Sequence, residues 1–269
     1  SSNYQDKPVE WEETMDGNVT AVVRVGDTIR RTPGPWTPAV HALLKHLEQA
    51  GFGAAPHVNG VDDRGREVLS FIDGEIRRQP GPWMSDAMLA RVARLLRGLH
   101  EATRGFVLPE GTSWLFGQPV VPGREQVICH NDIAPRNTVF RGEEPVAFID
   151  WDFASPAEPS WDLAHAAWES IPLADDERCR SLGWDPLPDR PGRLRTVVDA
   201  YGLDASLRPE FTDTILRRMR STADTMEERA VAGDPAFAAL VARGFPAAIR
   251  VEIAWVERHQ AELTAAILA

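Results

Sequence analysis

The sequence predicts an α+β protein of two lobes: a small N-terminal β-sheet lobe with one helix, and a larger, mainly helical C-terminal lobe. Three observations carry that prediction. The first third of the chain alternates β-branched and apolar runs with Gly- and Asp-containing turns. From Ser85, apolar residues recur at helical spacing, and after Trp161 they do so almost throughout. The change of character near residue 75 divides the chain into 1–75 and 76–269, and 269 residues are enough to bury a sizeable core.

Each element has a local reason. Val19 to Val25 is β-branched and apolar, Gly26-Asp27 turns the chain, and Thr28-Ile29-Arg30-Arg31 returns, so residues 18–31 read as a hairpin. Thr32-Pro33-Gly34-Pro35 ends it. Val40, Leu43, Leu44 and Leu47 mark a helix stopped by Gly51. Two strands follow, around 56–61 and 67–72, joined by Asp62-Asp63-Arg64-Gly65. Ser85 is an N-cap candidate for a helix carrying Met88, Leu89, Val92, Leu95, Leu96 and Leu99. Residues 110–124 read as loop. Short strands come next at 127–128, 138–140 and 146–149, with Gly142-Glu143-Glu144 turning between the last two. Helices are expected at about 161–170, 192–201, 208–232 and 235–267, with breaks at Gly233 and Pro246.

Composition narrows the function. The net charge of −11, from 29 basic and 40 acidic residues, argues against a nucleic-acid partner and suits a cationic small molecule. No apolar run approaches the roughly 18 residues that span a bilayer, so no membrane partner is expected. The polar, acidic start, Ser1 to Glu13, does not resemble a signal peptide, which makes the cytoplasm the default expectation. Two cysteines, Cys129 and Cys179, are too few for a disulfide framework. The only lysines are Lys7 and Lys45, so a task usually given to lysine falls here to arginine.

The chemistry concentrates in Cys129-His130-Asn131-Asp132-Ile133-Ala134-Pro135-Arg136-Asn137, followed by Phe148-Ile149-Asp150-Trp151-Asp152. Asn137 lies five residues after Asp132 and Asp150 lies 18 after it. Phosphoryl transfer needs this set: one carboxylate to orient a hydroxyl, and an amide and a second carboxylate to hold Mg²⁺. Asp132 is therefore the candidate base, with Asn137 and Asp150 as metal ligands. The hairpin 138–149 folds the chain back so that Asp150 can meet Asn137.

With Trp161-Asp162-Leu163-Ala164 added, these motifs resemble the aminoglycoside phosphotransferase family, which shares the two-lobed protein-kinase-like fold. The resemblance runs from about Asp16 to the Trp161 segment; the last 100 residues match only in being helical. It implies ATP in the cleft between the lobes, with Mg²⁺. Gly17-Asn18-Val19-Thr20 would form the loop over the phosphates, so Asn18 and Thr20 are candidates there. The Ser70 carbonyl and the Ile72 amide would bind the adenine edge. His130 is taken as architectural, packing beneath the metal-binding segment. Asp162 is taken as a brace that accepts backbone N–H bonds. Asp152 either contacts the metal shell or substrate, or caps a turn.

The sequence departs from the kinase pattern where a lysine on the third strand pairs with a glutamate on the next helix. Arg30 or Arg31 stands on that strand; strand alternation lets only one face the cleft, and alignment favours Arg30 as the phosphate contact. The helix has no glutamate before Glu48, and Val40 or His41 occupies the expected place. Ten residues separate Asp150 from Trp161, too few for the segment that positions a peptide, and no Ala-Pro-Glu follows. The expected activity is thus ATP-dependent transfer of the γ-phosphate to a hydroxyl of a small molecule, such as an aminoglycoside-like or other antibiotic. The alternatives are a metabolite kinase for choline, a sugar or a hydroxy amino acid, and a non-enzymatic nucleotide-binding scaffold. The choice between ATP and GTP, and the oligomeric state, stay open.

Overall fold

Residues 22–31 form a hairpin because a two-residue turn at Gly26-Asp27 matches the twist of two short β-branched strands. The computed structural model describes residues 12–15 and 22–269. The hairpin strands are β2 (Val22–Val25) and β3 (Thr28–Arg31), paired antiparallel with Val25 opposite Thr28. A strand not anticipated from the sequence, β1 (Glu12–Met15), pairs with β2. The segments 56–61 and 67–72 become β4 (Val58–Val61) and β5 (Glu67–Ser70). The sheet order is β1-β2-β3-β5-β4, so β5 sits between β3 and β4. Its register with β3 sets Arg31 directly opposite Glu67. The loop candidates Asn18 and Thr20 lie outside the described residues.

Helix α1 (Thr37–Gln49) starts earlier than its apolar periodicity, because Pro38 suits a first helical turn, where its missing N–H is not needed. Helix α2 (Asp86–Ala102) opens as expected: the Ser85 hydroxyl accepts from the Met88 amide at 3.2 Å, a cap worth about 1 kcal/mol. Its stripe of Met88, Leu89, Val92, Leu96 and Leu99 is buried. At about 1.5–3 kcal/mol for each fully buried large apolar side chain, that stripe fixes the helix against its neighbours.

Beyond α2 come β6 (Val127–Cys129), β7 (Thr138–Arg141) and β8 (Glu144–Phe148). A short β9 (Ser155–Ala157) pairs with β6. Pro156 hid it in the sequence, and Pro is tolerated there because the two-stranded ribbon leaves both strands at an edge. The remainder is α3 (Pro159–Ser170), α4 (Asp176–Ser181), α5 (Arg190–Tyr201), α6 (Arg208–Val231), α7 (Pro235–Ala242) and α8 (Phe245–Leu268). The expected break at Pro246 differs in the structure. The chain turns at Gly244, with φ of 79°, and Pro246 lies in the first turn of α8, where proline starts a helix rather than ending one.

One apolar cluster runs from α1 and Leu69 through α2, α3, α5, α6 and α8, and includes Ile133, Phe140, Phe148 and Trp151 around the loop motifs. Gly74, with φ of 148°, lets the connector from the sheet approach β7; a Cβ there would lie 2.5 Å from Val139 and 2.6 Å from the Phe140 carbonyl. That approach allows Glu75 and Phe140 to exchange backbone hydrogen bonds at 2.8 Å. Among the described residues no helix is long and apolar enough to cross a membrane.

Candidate active site

Two backbone devices bring the motif residues together. After β6, the chain passes His130, Asn131 and Asp132 and tightens into a 3-10 turn, Pro135–Asn137, that leads directly into β7. The β7–β8 hairpin then sets Thr138 opposite Phe148, and the Ile149 amide donates to the Asn137 carbonyl at 2.9 Å. Asp150 thus emerges beside Asn137. Asn131 (φ 65°) and Asp150 (φ 63°) are the non-glycine residues in the left-handed region among those described, and they flank this centre. Asn and Asp tolerate that region better than other residues, and such strain concentrates at functional sites.

Asp132 is saturated by donors. Its Oδ1 accepts from Arg136 Nη2 at 2.7 Å and His165 Nε2 at 3.2 Å, and its Oδ2 accepts from Asn137 Nδ2 at 2.7 Å. Burial opposes its charge, but Arg136 and then His165 outweigh burial, so the carboxyl titrates well below the usual carboxylate range. Asn137 Nδ2 also donates to the Asp132 carbonyl at 2.9 Å, which leaves its Oδ1 as the atom available to a cation. Asp150 behaves in the opposite way. Its side chain is 53% exposed at the cleft mouth, yet flanking protein desolvates it. Desolvation, reinforced by Asp152 and Asp132 against the pull of Arg31, lifts its pKa to about 6.

His130 lies beneath. Its Nε2 donates to the Ile149 carbonyl at 3.0 Å, its Nδ1 accepts from the Asp132 amide at 3.3 Å, and its ring packs 4.6 Å from Trp151. Burial, the largest influence, lowers its pKa, in keeping with a neutral ring in this tautomer. Asp162, fully buried, accepts from the His130 amide and the Asn131 amide, each at 2.9 Å, and from His100 Nε2 at 3.1 Å. Arg218 of α6 reaches the same turn, donating to the Asn131 carbonyl at 2.7 Å.

The strand arginines correct the sequence expectation. Arg30, favoured as the phosphate contact, turns to the outer side and donates to Asp62 Oδ2 at 3.3 Å and Thr28 Oγ1 at 3.2 Å. Arg31 faces the cleft: Nη2 donates to Asp152 Oδ1 at 2.7 Å, Nη1 lies 3.4 Å from Asp150 Oδ1, and Nε pairs with Glu67. Alternation along β3 forces the choice, and sequence alone does not give its parity. Desolvation works against the Arg31 charge, but Asp152, Glu67 and Asp150 more than offset it and raise its pKa. Asp152 is consequently the acidic partner of Arg31 rather than a turn cap.

Other residues escaped the sequence. His165 holds Asp132, and Glu169 accepts from Arg136 Nη1 at 2.6 Å. Their signal was present in the spacing: Asp162, His165 and Glu169 stand at i, i+3 and i+7, one face of α3 turned to the loop. Ser70 and Ile72 lie at the exit of β5. Ser70 Oγ accepts from the His57 amide at 2.8 Å, the Phe71 amide donates to the Asp27 carbonyl at 2.7 Å, and among the described residues no hydrogen bond engages the Ile72 amide.

Known proteins resemble the chain in sequence or in fold. A family model described as the phosphotransferase enzyme family matches residues 112–191, which hold the loop, Asp150 and all of α3. The trifolitoxin immunity protein of Rhizobium leguminosarum bv. trifolii is 39% identical over 220 residues, covering 80% of this chain and 83% of that protein. Among solved structures, an amicoumacin kinase in complex with AMP-PNP, Ca²⁺ and Ami gives a TM-score of 0.61 at 11% identity, over 83% of this chain and 82% of that one. The GDP complex of an aminoglycoside 2′-phosphotransferase gives 0.57 at 14% identity, over 96% and 95%. An ethanolamine kinase from Plasmodium vivax gives 0.53 at 13%, over 78% and 73%. At such identities these structures share the fold, which is the kinase-like one. The family match and the 39% identical relative together establish that the chain belongs to the phosphotransferase enzyme family.

Proposed function

We propose that the protein transfers the γ-phosphate of ATP to a hydroxyl of a small toxic molecule, an antibiotic being the best-supported class. The observation that carries this reading is the donor-saturated Asp132 beside the free amide oxygen of Asn137 and the carboxylate of Asp150. The donor set suits the group it would hold: amide and carboxylate oxygens with no nitrogen or sulfur, which favour a hard cation such as Mg²⁺. Asn137 Oδ1 and Asp150 would be its ligands. When bound, Mg²⁺ would neutralise phosphate charge. The protein's own groups do the rest: Asp132 orients the acceptor hydroxyl and takes its proton, and Arg31 binds phosphate oxygens. Ser70 and Ile72 would receive the adenine edge, and Asn18 and Thr20 would cover the phosphates.

The relative's name supports a protective role, since it is an immunity protein against trifolitoxin. A cationic acceptor finds support in the net charge of −11. The test is transfer of labelled γ-phosphate from ATP to a panel of antibiotics, trifolitoxin, choline, ethanolamine, sugars and hydroxy amino acids. One phosphoryl group gained by an antibiotic or toxin is the expected result. Turnover on choline or a sugar alone would shift the assignment to a metabolite kinase. Mg²⁺-dependent ATP binding with no accepted acceptor would indicate a scaffold.

The two arginines provide a second check. Arg31→Gln is expected to raise the KM for ATP about 10- to 100-fold, the loss of charge-assisted hydrogen bonds worth about 1.5–3 kcal/mol. Arg30→Gln is expected to stay within about threefold of wild type in the KM for ATP, because strand alternation sets Arg30 and its partners Asp62 and Thr28 on the face away from Arg31. Equal effects of the two would refute the assignment of Arg31.

A further inference from the structure

We propose that Glu67 of β5, held by His41 of α1, is the positioning carboxylate that aims the cleft cation Arg31 at phosphate. In effect, the ion pair that protein kinases build between a strand and a helix is built here between two strands. The inference rests on the nucleotide reading above.

Four observations carry it. Arg31 and Glu67 are direct cross-strand partners in the β3–β5 register. Both are buried, with side-chain exposures of 9% and 1%. Glu67 Oε1 takes the Arg31 Nε–H while Glu67 Oε2 lies 2.7 Å from His41 Nε2, so both carboxylate oxygens are committed. The acid that the helix itself offers, Glu48, is 55% exposed and pairs with His57 at 3.2 Å, on the outside of the lobe.

The geometry also explains why the cation is arginine. A guanidinium is a rigid fork. With Nε tied to Glu67, its two Nη groups point away from the strand, and these reach Asp150 and Asp152. A lysine would gather its three N–H donors on one charged atom, whereas the guanidinium separates the anchored Nε–H from the two Nη groups it presents. His41 stands where a helix glutamate would stand and reaches the same carboxylate from the opposite side, so α1 stays coupled to the cleft through a histidine.

The experiment is calorimetric binding of Mg²⁺·AMP-PNP and of adenosine, which lacks phosphates, to the full chain. Glu67→Gln is expected to weaken Mg²⁺·AMP-PNP about tenfold and to leave adenosine within about twofold. His41→Gln, a milder change should the first variant fold poorly, is expected to weaken Mg²⁺·AMP-PNP about threefold, again sparing adenosine. Adding His41→Glu to Glu67→Gln returns the carboxylate from the helix side and is expected to recover part of the loss. Equal weakening of both ligands, or no weakening of Mg²⁺·AMP-PNP in either single variant, would overturn the proposal. Wild-type protein that binds neither ligand would instead refute the nucleotide reading, and this inference with it.

Discussion

Asp132→Asn is expected to cut kcat about 10²- to 10⁴-fold, the range for losing a positioned proton acceptor, while the Kd for nucleotide changes little. The substitution preserves size. It removes the charge that Arg136 and His165 address and sets an NH₂ group against one of the donors now facing the carboxylate. Single-turnover transfer to the accepted substrate, with nucleotide binding measured alongside, separates these effects. A second signature follows from electrostatics. Arg136 and His165 hold Asp132 well below the usual carboxylate range, so it remains ionised from pH 5 to 8. It should contribute no acid limb to the kcat profile over that window. As the proposed base, so weakly basic a carboxylate would suit a late proton transfer, after the loose transition state has formed, with orientation as its earlier task. Wild-type turnover by Asp132→Asn would refute the assignment.

Asp162→Asn is expected to give the largest loss of stability, about 3–5 kcal/mol, the scale for breaking a buried charged group's interactions. Its two oxygens accept from two loop amides and His100, and an asparagine has only one acceptor oxygen for three donors. For a chain of this size the melting temperature should fall by on the order of 10 °C. The pH dependence has a definite sign. Burial opposes the charge, but His100 and the loop amides outweigh it and lower the folded pKa of Asp162. Its stabilisation is therefore complete above the unfolded value of about 3.9 and is lost as pH falls through the lower folded value. The gap between wild type and variant should be full at pH 7 and narrow below about pH 4, as measured by denaturant melts at both. A gap independent of pH would show that shape, not charge, is at stake.

What could be read from the sequence was local. Asp132, Asn137 and Asp150 are joined by one loop and one hairpin, so their proximity follows from a turn and a register. Asp162 sits at a helix start, where an acid seeks backbone donors. Residues that meet through distant pairing stayed hidden. Glu67 lies opposite Arg31 only once β5 inserts beside β3, and no local pattern announces that insertion. The choice of Arg31 over Arg30 turned on which face of β3 meets the cleft, a parity set by the rest of the sheet. His165 and Glu169 were legible in principle, since their spacing from Asp162 is helical, but only to a reader who already knew that this face touches the loop. Pro246 misled for a different reason: proline is both a helix breaker and a good first-turn residue, and Gly244 before it decides between the two.

The three α3 contacts have a mechanical consequence. One rigid rod addresses the loop's backbone through Asp162, the Asp132 carboxylate through His165, and Arg136 beside it through Glu169. Their phase is fixed by the pitch of the helix, so adding or removing one residue between Asp162 and His165 would swing the latter two by about 100°. Asp132 would then lose its orienting histidine and the anchor of its arginine in a single step, although every functional residue type remained present. Adaptation to a new acceptor therefore has little freedom along this rod and must come from surfaces that do not share its phase.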